Sequence, residues 1–361
     1  MGGARQSRIL LIITLAAATV VLVQLFPFDF QTRCTTCTNG VRIEQDAAGF
    51  VFEGEGIIRD PEVGPILSQR LASADGVTVG LFVRSNALFQ QGPARIVTLS
   101  SGPAARNLTV GQQRDRVVLR LRTPGTGPNG SAPDISAPLA LLPGQERLVF
   151  ATYDGTGFRI YVDGVLRAER LLSAGSLSGW DPNFELAFGN EMTGDRPWRG
   201  ALRDVVLYDR ALSGTEIASV NREAPRDWPV GAIYQLSRRC PVGQSLTTDT
   251  GLRIGHCFMP ATYTNAHVWS VLGGGRRQVA DYAMAFCLWA PLGVLVASAT
   301  SGVAARVVTV LALAAVALLA EWGQAPLFSR TSSLHDLVSS WAGLAAGLAL
   351  GLNRHAPKAY A

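Results

Sequence analysis

Residues 159–166 read Arg159-Ile160-Tyr161-Val162-Asp163-Gly164-Val165-Leu166, and this stretch carries the clearest structural signal in the chain. Two short runs rich in β-branched and aromatic residues flank an Asp-Gly pair. Asp-Gly suits a two-residue hairpin turn of type I′, because both central positions of that turn need a positive φ angle. The stretch therefore predicts a tight β-hairpin.

Similar short runs recur on both sides of this hairpin. Residues 77–84 form one of them, and Val117-Val118-Leu119-Arg120-Leu121-Arg122 forms another. In the second run the alternation places Leu119 and Leu121 toward a core, and Arg120 and Arg122 toward water. Between residues 49 and 222 these runs are separated by Gly, Pro, Asn and Asp, with almost no helical periodicity. Many short strands with regular turns predict two packed antiparallel sheets.

Outside this segment the 361-residue chain is strongly apolar. Overall it is 48% hydrophobic and only 16% charged, which argues against disorder. Four apolar runs are long enough to cross about 30 Å of hydrocarbon. They lie at residues 9–28, 279–299, 303–322 and 334–352.

The net charge of +5 is concentrated next to these runs. Residues 42–229 hold 20 basic and 22 acidic side chains, so the positive excess belongs to the rest of the chain. Basic residues commonly flank membrane helices, and no basic aromatic module is visible. The charge distribution therefore favours a membrane protein over a nucleic-acid-binding protein.

The first apolar run follows Arg5 and Arg8 and precedes no small-residue cleavage site. This pattern favours an uncleaved membrane anchor over a signal peptide. Four crossings put both termini on one side, and the flanking basic residues favour the cytoplasm for that side. The segment between the first two crossings is then extracytoplasmic.

Cysteines support this topology, because disulfides persist in oxidising compartments. The disulfide candidates in the extracytoplasmic segment are Cys34, Cys37, Cys240 and Cys257. Their spacing matches neither a zinc site nor a thioredoxin-like site. Four cysteines allow three pairings, and the sequence does not choose among them.

Ionisable side chains in the apolar runs are candidates for function, since a charge in lipid is costly unless it is paired or hydrated. On the predicted topology, several polar residues fall at the extracytoplasmic end of the helices. These ligand-binding candidates are Asp281, Glu321, Gln324, Arg330, Asp336, Arg276 and Arg277. Asp336 shares a helix face with Ser339 and Gly343, a small-residue stripe that lets helices pack closely. We expect one polar cluster, which either holds a ligand or stabilises the helix ends.

The central segment has its own candidates. Trp180 and Trp198 could stack on a sugar or belong to the core. Asn190, Glu191 and Asp195, with Asp181, either form a solvated turn, which the sequence favours, or offer oxygen ligands for calcium as a cofactor. A retaining glycosidase needs two carboxyls about 5 Å apart. The acidic residues of this segment do not show the strand spacing that would present such a pair, and we predict no catalytic residue.

Several motifs of the central segment resemble one family. They are Tyr161-Val162-Asp163-Gly164, Phe188-Gly189-Asn190, Trp198-Arg199-Gly200-Ala201-Leu202-Arg203-Asp204-Val205 and Leu207-Tyr208-Asp209-Arg210-Ala211-Leu212-Ser213, followed by Glu216-Ile217. Their order is similar to that of the laminin-G type, concanavalin A-like domain. The resemblance implies a jelly-roll sandwich. Members of that family bind glycans, proteins or steroids, and some hydrolyse glycans.

The helical segments resemble a second family, the VanZ-like membrane proteins of bacteria. The matching features are Glu321-x-x-Gln324, Arg330, Asp336 with Gly343 and Gly347, Trp289-Ala290-Pro291-Leu292-Gly293, and Leu25-Phe26-Pro27-Phe28. Ala285 and Ser340 stand where the family commonly has Asn. The resemblance implies a four-helix transmembrane unit and a role in glycopeptide or envelope-stress resistance.

Together these features predict a mixed multi-domain protein, an antiparallel β-sandwich inserted into an all-α four-helix transmembrane unit. The predicted segments are a first helix (1–30), a cysteine-containing connector (31–48), the sandwich (49–225), a second connector (226–277) and three helices with a short tail (278–361).

Three functions remain open at this point. The first is a non-enzymatic protein of the bacterial inner membrane, whose sandwich binds a glycan or envelope protein and whose helices hold a lipid-linked or amphipathic ligand. The second is a membrane-surface enzyme acting on a lipid-linked envelope precursor, with Glu321 or Asp336 as acid or base. The third is an adhesion or scaffold module on a membrane anchor.

Overall fold

The computed structural model describes most of the chain in two compact units. The described residues are 2–26, 28, 30, 34–44, 49–54, 56–88, 90, 92–131, 134–220, 228–237, 246–247, 253–254, 260, 262–265, 276–300, 302–327 and 332–355. One unit comprises Met1–Thr32 and Trp269–Ala361, and the other comprises Arg33–Val268. Helix α1 (Gly2–Leu25) begins the first unit.

The second unit is built mainly of β-strands. In chain order they are β1 (Cys34–Thr38), β2 (Arg42–Glu44), β3 (Gly49–Glu53), β4 (Ile58–Asp60), β5 (Val77–Ser85), β6 (Ala94–Gly102), β7 (Ala105–Gln113), β8 (Arg116–Leu121), β9 (Ile135–Ala137), β10 (Glu146–Tyr153), β11 (Gly157–Val162), β12 (Val165–Leu171), β13 (Glu185–Phe188), β14 (Arg199–Tyr208), β15 (Tyr234–Ser237), β16 (Leu246–Thr247), β17 (Arg253–Ile254) and β18 (Thr262–Asn265). Two helices lie among these strands, α2 (Val63–Ala72) and α3 (Gly214–Ala218).

The strands form two large sheets. The ten-stranded sheet has the order β12-β11-β10-β5-β14-β15-β17-β16, and in addition β3 pairs with β14 and β2 pairs with β3. The six-stranded sheet has the order β4-β13-β6-β7-β8-β9. A separate pair joins β1 to β18. Within the described strands only β15 and β17 run parallel, so the predicted antiparallel sandwich is confirmed.

The core of the sandwich lies between the inner faces of the two sheets. Leu81 and Val149 contribute from the larger sheet, and Leu99, Leu108 and Leu119 contribute from the smaller one. The predicted hairpin joins β11 to β12, with Asp163 at φ 54° and Gly164 at φ 80° as a type I′ turn requires. The period-two alternation therefore buries a continuous apolar layer.

Two features of the sandwich were not predicted. Helix α2 buries Val63, Leu67 and Leu71, which recur every four residues and so share one helix face. Strand β15 pairs with β14, so part of the segment predicted as an irregular connector extends the larger sheet. A run of four residues without strong alternation gives too little signal for a strand to be predicted.

The helical unit contains α1 and three further helices, α4 (Arg276–Ala299), α5 (Val303–Gly323) and α6 (Leu334–His355). Its core includes Ile13 and Ala17 of α1 together with Trp289, Leu313 and Leu344. Within the described residues, Ser7–Leu25, Tyr282–Ala299 and Val303–Gly323 are long and apolar enough to cross a membrane. Helix α6 forms as predicted but is not among these three, so the fourth crossing stays a prediction.

Close backbone contacts establish the directions of these helices. A Cβ atom at Gly343 would strike the carbonyl oxygen of Phe286, and one at Gly347 would strike that of Ala290. Gly343 and Gly347 lie four residues apart on α6, and their partners Phe286 and Ala290 lie four residues apart on α4. The residue numbers rise in the same direction on both helices, so α4 and α6 run parallel. Helix α5 runs antiparallel to α6, because the indole N–H of Trp341 donates to the carbonyl of Ala314 while Ser333 lies near Glu321.

Candidate functional site

Arginine side chains occupy the face of the six-stranded sheet that is turned away from the core. On β8 the predicted alternation holds, since Leu119 and Leu121 lie in the core while Arg120 lies on the opposite face. Arg120 is only 13% exposed, however, and does not simply face water. On β6, Arg95 takes the same orientation and is completely buried.

A β-bulge brings Arg106 to this face. The register between β6 and β7 shifts, so that Leu99 pairs with Leu108 while Ser100 pairs with Arg106. A bulge places two residues opposite one and turns a side chain to the other face of the sheet. Arg106 therefore lies on the face of Ser100, although its distance in sequence from Leu108 would place it in the core.

The fourth arginine comes from the loop between β13 and β14. The Asn190 side-chain carbonyl accepts backbone N–H bonds from Glu191, at 2.9 Å, and from Arg196, at 3.1 Å. The backbone N–H of Arg95 donates to the carbonyl of Arg196 at 3.0 Å, which fastens the loop to β6. We call Arg95, Arg106, Arg120, Arg196, Glu191 and Asp195 the arginine cluster.

An ion pair between Arg95 and Glu191 lies at the centre of the arginine cluster. The Nε of Arg95 donates to Oε2 of Glu191 at 2.9 Å, and neither side chain is exposed. The hydroxyl of Ser100 and the backbone N–H of Met192 donate to Oε1 of the same carboxylate. Glu191 is thus fully engaged, which a buried carboxylate requires.

Arg106 is less well satisfied than Arg95. Its Nη2 donates to the carbonyl of Pro103, but its Nε and Nη1 atoms are buried and have no hydrogen-bond partner. The Nη2 atom of Arg95 is likewise buried without a partner. Such donors are uncommon in folded proteins, where buried polar groups are nearly always hydrogen-bonded.

The electrostatics of the arginine cluster follow from burial and from its excess of positive charge. Burial, reinforced by the charges of Arg95 and Arg120, lowers the pKa of Arg106 well below its ordinary value. Burial also lowers the pKa of Arg120 to about 10. For Glu191, burial acts to raise the pKa, but the charges of Arg95 and Arg106 outweigh it and the pKa is lowered. The arginine cluster is therefore a strongly electropositive region that stabilises negative charge.

This arrangement does not suit the predicted calcium ligands. The oxygens of Asn190 and Glu191 accept the hydrogen bonds described above, and Asp195 accepts from Thr193 and pairs with Arg196 at 3.1 Å. A divalent cation would have to displace these donors beside several arginines. Among the described residues no group of three His, Cys, Asp or Glu side chains could hold a metal ion. The positive charge of the nearby arginines disfavours a cation here, and the calcium candidate stays a prediction.

The predicted glycan-stacking residues also have a different place. Trp198 is 0% exposed and its indole N–H donates to Gln112 at 2.9 Å. Trp180 is 5% exposed and its indole N–H donates to the carbonyl of Arg122 at 2.9 Å. Both indoles belong to the core of the sandwich, which is the second of the two alternatives that the sequence left open. Asp181 also serves the fold, since its backbone pairs with the side chain of Asn107.

In the helical unit, the structure brings Glu321 and Gln324 together. Glu321 is 1% exposed, and its carboxylate accepts from the Gln324 amide at 3.0 Å and from the backbone N–H of Ser333 at 2.6 Å. The hydroxyl of Ser332 donates to the main-chain carbonyl of Glu321 at 2.7 Å. These bonds join the end of α5 to the start of α6, where a helix N-terminus favours a negative charge.

Asp336, a further member of the predicted polar cluster, lies at the same end of the helices as Glu321. The remaining members lie outside the described side chains. Asp336 is in the first turn of α6, where its backbone N–H donates to the Ser333 hydroxyl at 3.4 Å. Arg330 lies outside the described residues, and the side chains of Arg276, Arg277 and Asp281 do as well. The close approach of Tyr282 and His335, with ring centroids 5.4 Å apart, shows that α4 and α6 begin at this same end.

We expect the bonds of Glu321 to be visible in the stability of the helical unit. Replacing Glu321 with alanine leaves the Ser333 N–H and the Gln324 amide without their buried acceptor, which should cost about 1–3 kcal/mol. Thermal unfolding of the detergent-purified protein measures this loss. The half-buried Thr309 of the same helix supplies the control, because Thr309→Ala removes only a local bond to Ala305. Equal melting temperatures for the two variants would contradict this account of Glu321.

Of the predicted disulfide cysteines, Cys37 is buried and disulfide-bonded. Cys34 lies on the same strand, β1. Cys240 and Cys257 lie outside the described residues, so the pairing stays a prediction. Cys287, in α4, is free and exposed.

Comparison with known families identifies the class of the sandwich. Residues 65–218 match the model of the Concanavalin A-like lectin/glucanases superfamily, in its laminin-G type. The protein is thus a concanavalin A-like antiparallel sandwich joined to a unit of apolar helices. The match does not reach the helical unit, so the resemblance to VanZ-like proteins stays a prediction. Comparison with curated proteins gave no match.

Solved structures with similar folds include three from bacteria. A mutant NanB sialidase from Streptococcus pneumoniae is 15% identical, with 49% of this chain and 28% of that chain covered and a TM-score of 0.39. The IT-sialidase CBM40 of Ruminococcus gnavus, bound to alpha2,3 sialyllactose, is 18% identical, with coverages of 48% and 96% and a TM-score of 0.38. A proposed carbohydrate-binding protein from Bacteroides ovatus is 17% identical, with coverages of 61% and 60% and a TM-score of 0.40. Identities and TM-scores at this level carry no argument about function.

Proposed function

We propose that this chain is a non-enzymatic, membrane-anchored protein whose sandwich binds a glycan outside the cytoplasmic membrane of a bacterium. The observation that carries the proposal is the polar outer face of the six-stranded sheet. Nε and Nη1 of Arg106 and Nη2 of Arg95 are N–H donors there without a partner among the described residues, and the hydroxyls of Thr98, Ser100 and Thr109 beside them are buried and hydrogen-bonded to one another or to Glu191. Donors arranged on a rigid sheet suit the many oxygens of a saccharide. The match to a superfamily of lectins and glucanases supports the same ligand class.

The carboxylates of Glu191 and Glu321 favour a binding role over catalysis at these two residues. Both oxygens of Glu191 accept hydrogen bonds from Arg95 and Ser100, and those of Glu321 accept from Gln324 and Ser333. A general acid or base needs an oxygen directed at the substrate. The alternative of an enzyme acting on a lipid-linked envelope precursor would require these bonds to break first.

The helices supply the anchor in this proposal, with both termini in the cytoplasm and the sandwich outside. Three of them meet the length and composition of membrane spans, and their outward side chains are apolar, as with Leu311 and Leu319. The polar network of Glu321 and Gln324 favours the VanZ-like interpretation of this unit. On that interpretation its polar cluster holds a lipid-linked or amphipathic ligand, and the protein contributes to resistance against glycopeptides or envelope stress.

The glycan-binding role can be tested with the full-length protein in detergent. We expect wild-type protein to be retained on immobilised envelope glycans, and Arg120→Ala to lose at least tenfold in affinity, because Arg120 lies at the accessible rim of the arginine cluster. Surface plasmon resonance against a panel of acidic and neutral glycans measures both.

The matched control is Arg167→Ala, because Arg167 is exposed on the edge strand β12. Its binding should equal that of the wild type. If no glycan on the panel retains the wild-type protein, the proposal fails and the scaffold interpretation is favoured.

A further inference from the structure

The arginine cluster contains more buried positive than negative charge. Four arginines meet three carboxylates, the buried Glu191 and Asp195 and the partly exposed Asp134. The charges that act on Arg106 are those of three arginines and a single carboxylate, Glu191. Burying like charges is costly unless an opposite charge compensates them. The protein by itself supplies only part of that compensation.

The donors without partners lie on the same side chains that carry the uncompensated charge. Nε and Nη1 of Arg106 and Nη2 of Arg95 are buried and have no acceptor. The other nitrogens of the two side chains are engaged, since Nε of Arg95 donates to Glu191, Nη1 of Arg95 to the carbonyl of Pro93 and Nη2 of Arg106 to that of Pro103, so these three atoms are the available donors of the arginine cluster. Guanidinium groups present fork-shaped pairs of donors that match planar or tetrahedral oxyanions.

A ligand reaches these donors past the ion pair of Arg120 and Asp134, which forms the solvent-facing edge of the arginine cluster. Arg120 pairs with Asp134 at 3.5 Å, the longest ion pair among the residues that the structure describes. Asp134 is 37% exposed and Arg120 is 13% exposed, so this pair separates the arginine cluster from solvent. A long and partly exposed ion pair contributes little to stability, and an incoming anion can replace Asp134 as the partner of Arg120.

We propose that Arg95, Arg106 and Arg120 form a binding site for an oxyanion, namely the carboxylate of an acidic saccharide. The saccharide part of this statement rests on the proposed function, and the oxyanion part does not. Arg106 accepts the anion on Nε and Nη1, Arg95 adds Nη2, and Arg120 turns from Asp134 to the ligand. Glu191 takes no part in contacting the ligand; it holds Arg95 in place.

The test uses isothermal titration calorimetry on the full-length protein in detergent, at constant ionic strength set with chloride. The probes are glucuronate, glucose and inorganic sulfate. We expect glucuronate and sulfate to bind and glucose to bind at least tenfold more weakly. Charge-assisted hydrogen bonds to arginine are worth enough to produce such a ratio.

The variant that isolates the site is Arg106→Met, which keeps the length of the side chain but removes its charge and its donors. Affinity for glucuronate should fall at least tenfold, whereas Arg167→Met should bind as the wild type does. Without ligand, Arg106→Met should be at least as stable as the wild type, because it removes a buried charge that lacks a full complement of partners. A purely structural arginine would instead make this variant less stable. Arg106→Lys should also bind poorly, since lysine lacks the planar fork.

Each outcome separates the two proposals. If glucose and glucuronate bind equally and Arg106→Met changes neither, the oxyanion site is wrong while glycan binding stands. If sulfate binds and no saccharide does, the oxyanion site stands and both its saccharide part and the proposed function fail. If neither anion binds, or if Arg106→Met only lowers the melting temperature, the oxyanion site is wrong.

Discussion

Replacing Glu191 with glutamine will destabilise the sandwich by about 3–5 kcal/mol, because it leaves the buried guanidinium of Arg95 without its counter-charge. Arg95 and Glu191 are both 0% exposed and 2.9 Å apart, so no solvent can take the place of the lost partner. For a domain of this size the melting temperature should fall by roughly 10 °C. Differential scanning calorimetry of the detergent-purified protein measures the fall.

A nearby ion pair provides the control for this loss. Glu185 pairs with Arg59 on the same sheet, but their side chains are 33% and 37% exposed. Glu185→Gln should therefore cost less than about 1 kcal/mol. Comparable losses in the two variants would show that burial does not set the strength of the Arg95–Glu191 pair.

The same pair predicts how the stability depends on pH. The pKa of Glu191 lies below its ordinary value of 4.5 in the folded protein, so its contribution is complete above pH 4.5 and is lost as the pH falls through the folded-state pKa. Glu191→Gln should remove this part of the acid sensitivity. A variant that keeps the full acid sensitivity of the wild type would contradict the assignment.

Replacing Gly347 with alanine will destabilise the helical unit by about 2–3 kcal/mol. A Cβ at this position would lie within the radius of the Ala290 carbonyl oxygen, so α4 and α6 would have to move apart. Helices in lipid associate by close packing, since apolar surface gains little from leaving lipid, and the lost contacts are not replaced. Thermal unfolding and size-exclusion chromatography of the detergent-purified protein measure the loss.

Gly323→Ala is the matched control, because the same Cβ there would meet Leu25 Cδ2 at an ordinary 3.4 Å. Alanine favours a helix over glycine by about 1 kcal/mol, so this variant should be as stable as the wild type or more so. If Gly347→Ala behaves in the same way, α4 and α6 do not approach each other as closely as described.

Much of the fold could be predicted from local patterns. The Asp163–Gly164 turn and the alternation around Leu119 suffice for an antiparallel sandwich, because a two-residue turn and a period of two leave few other structures open. The sequence did not predict helix α2, although Val63, Leu67 and Leu71 have helical spacing. One short helix gives a weak periodic signal among the many strand signals around it.

The candidate site was much harder to predict. Asn190, Glu191 and Asp195 were predicted as cation ligands, because the arginines whose charges act on Glu191, Arg95 and Arg106, lie far from it in sequence. Arg106 was not identified at all. Its distance from Leu108 predicts the core side of β7, and only a bulge in the register with β6 turns it to the outer face.

The sequence by itself determined the class of each unit, because hydrophobic period and turn chemistry are local properties of the chain. It also determined that Glu321 and Gln324 share one helix end, since three residues make nearly one helical turn. Only the tertiary structure decided which charges meet. Strand pairing brings Arg95 and Arg106 from two strands onto Glu191, and it buries Trp180 and Trp198 in the core. Burial and pairing of side chains depend on residues distant in sequence, and these two properties set the sign of the charge at the candidate site.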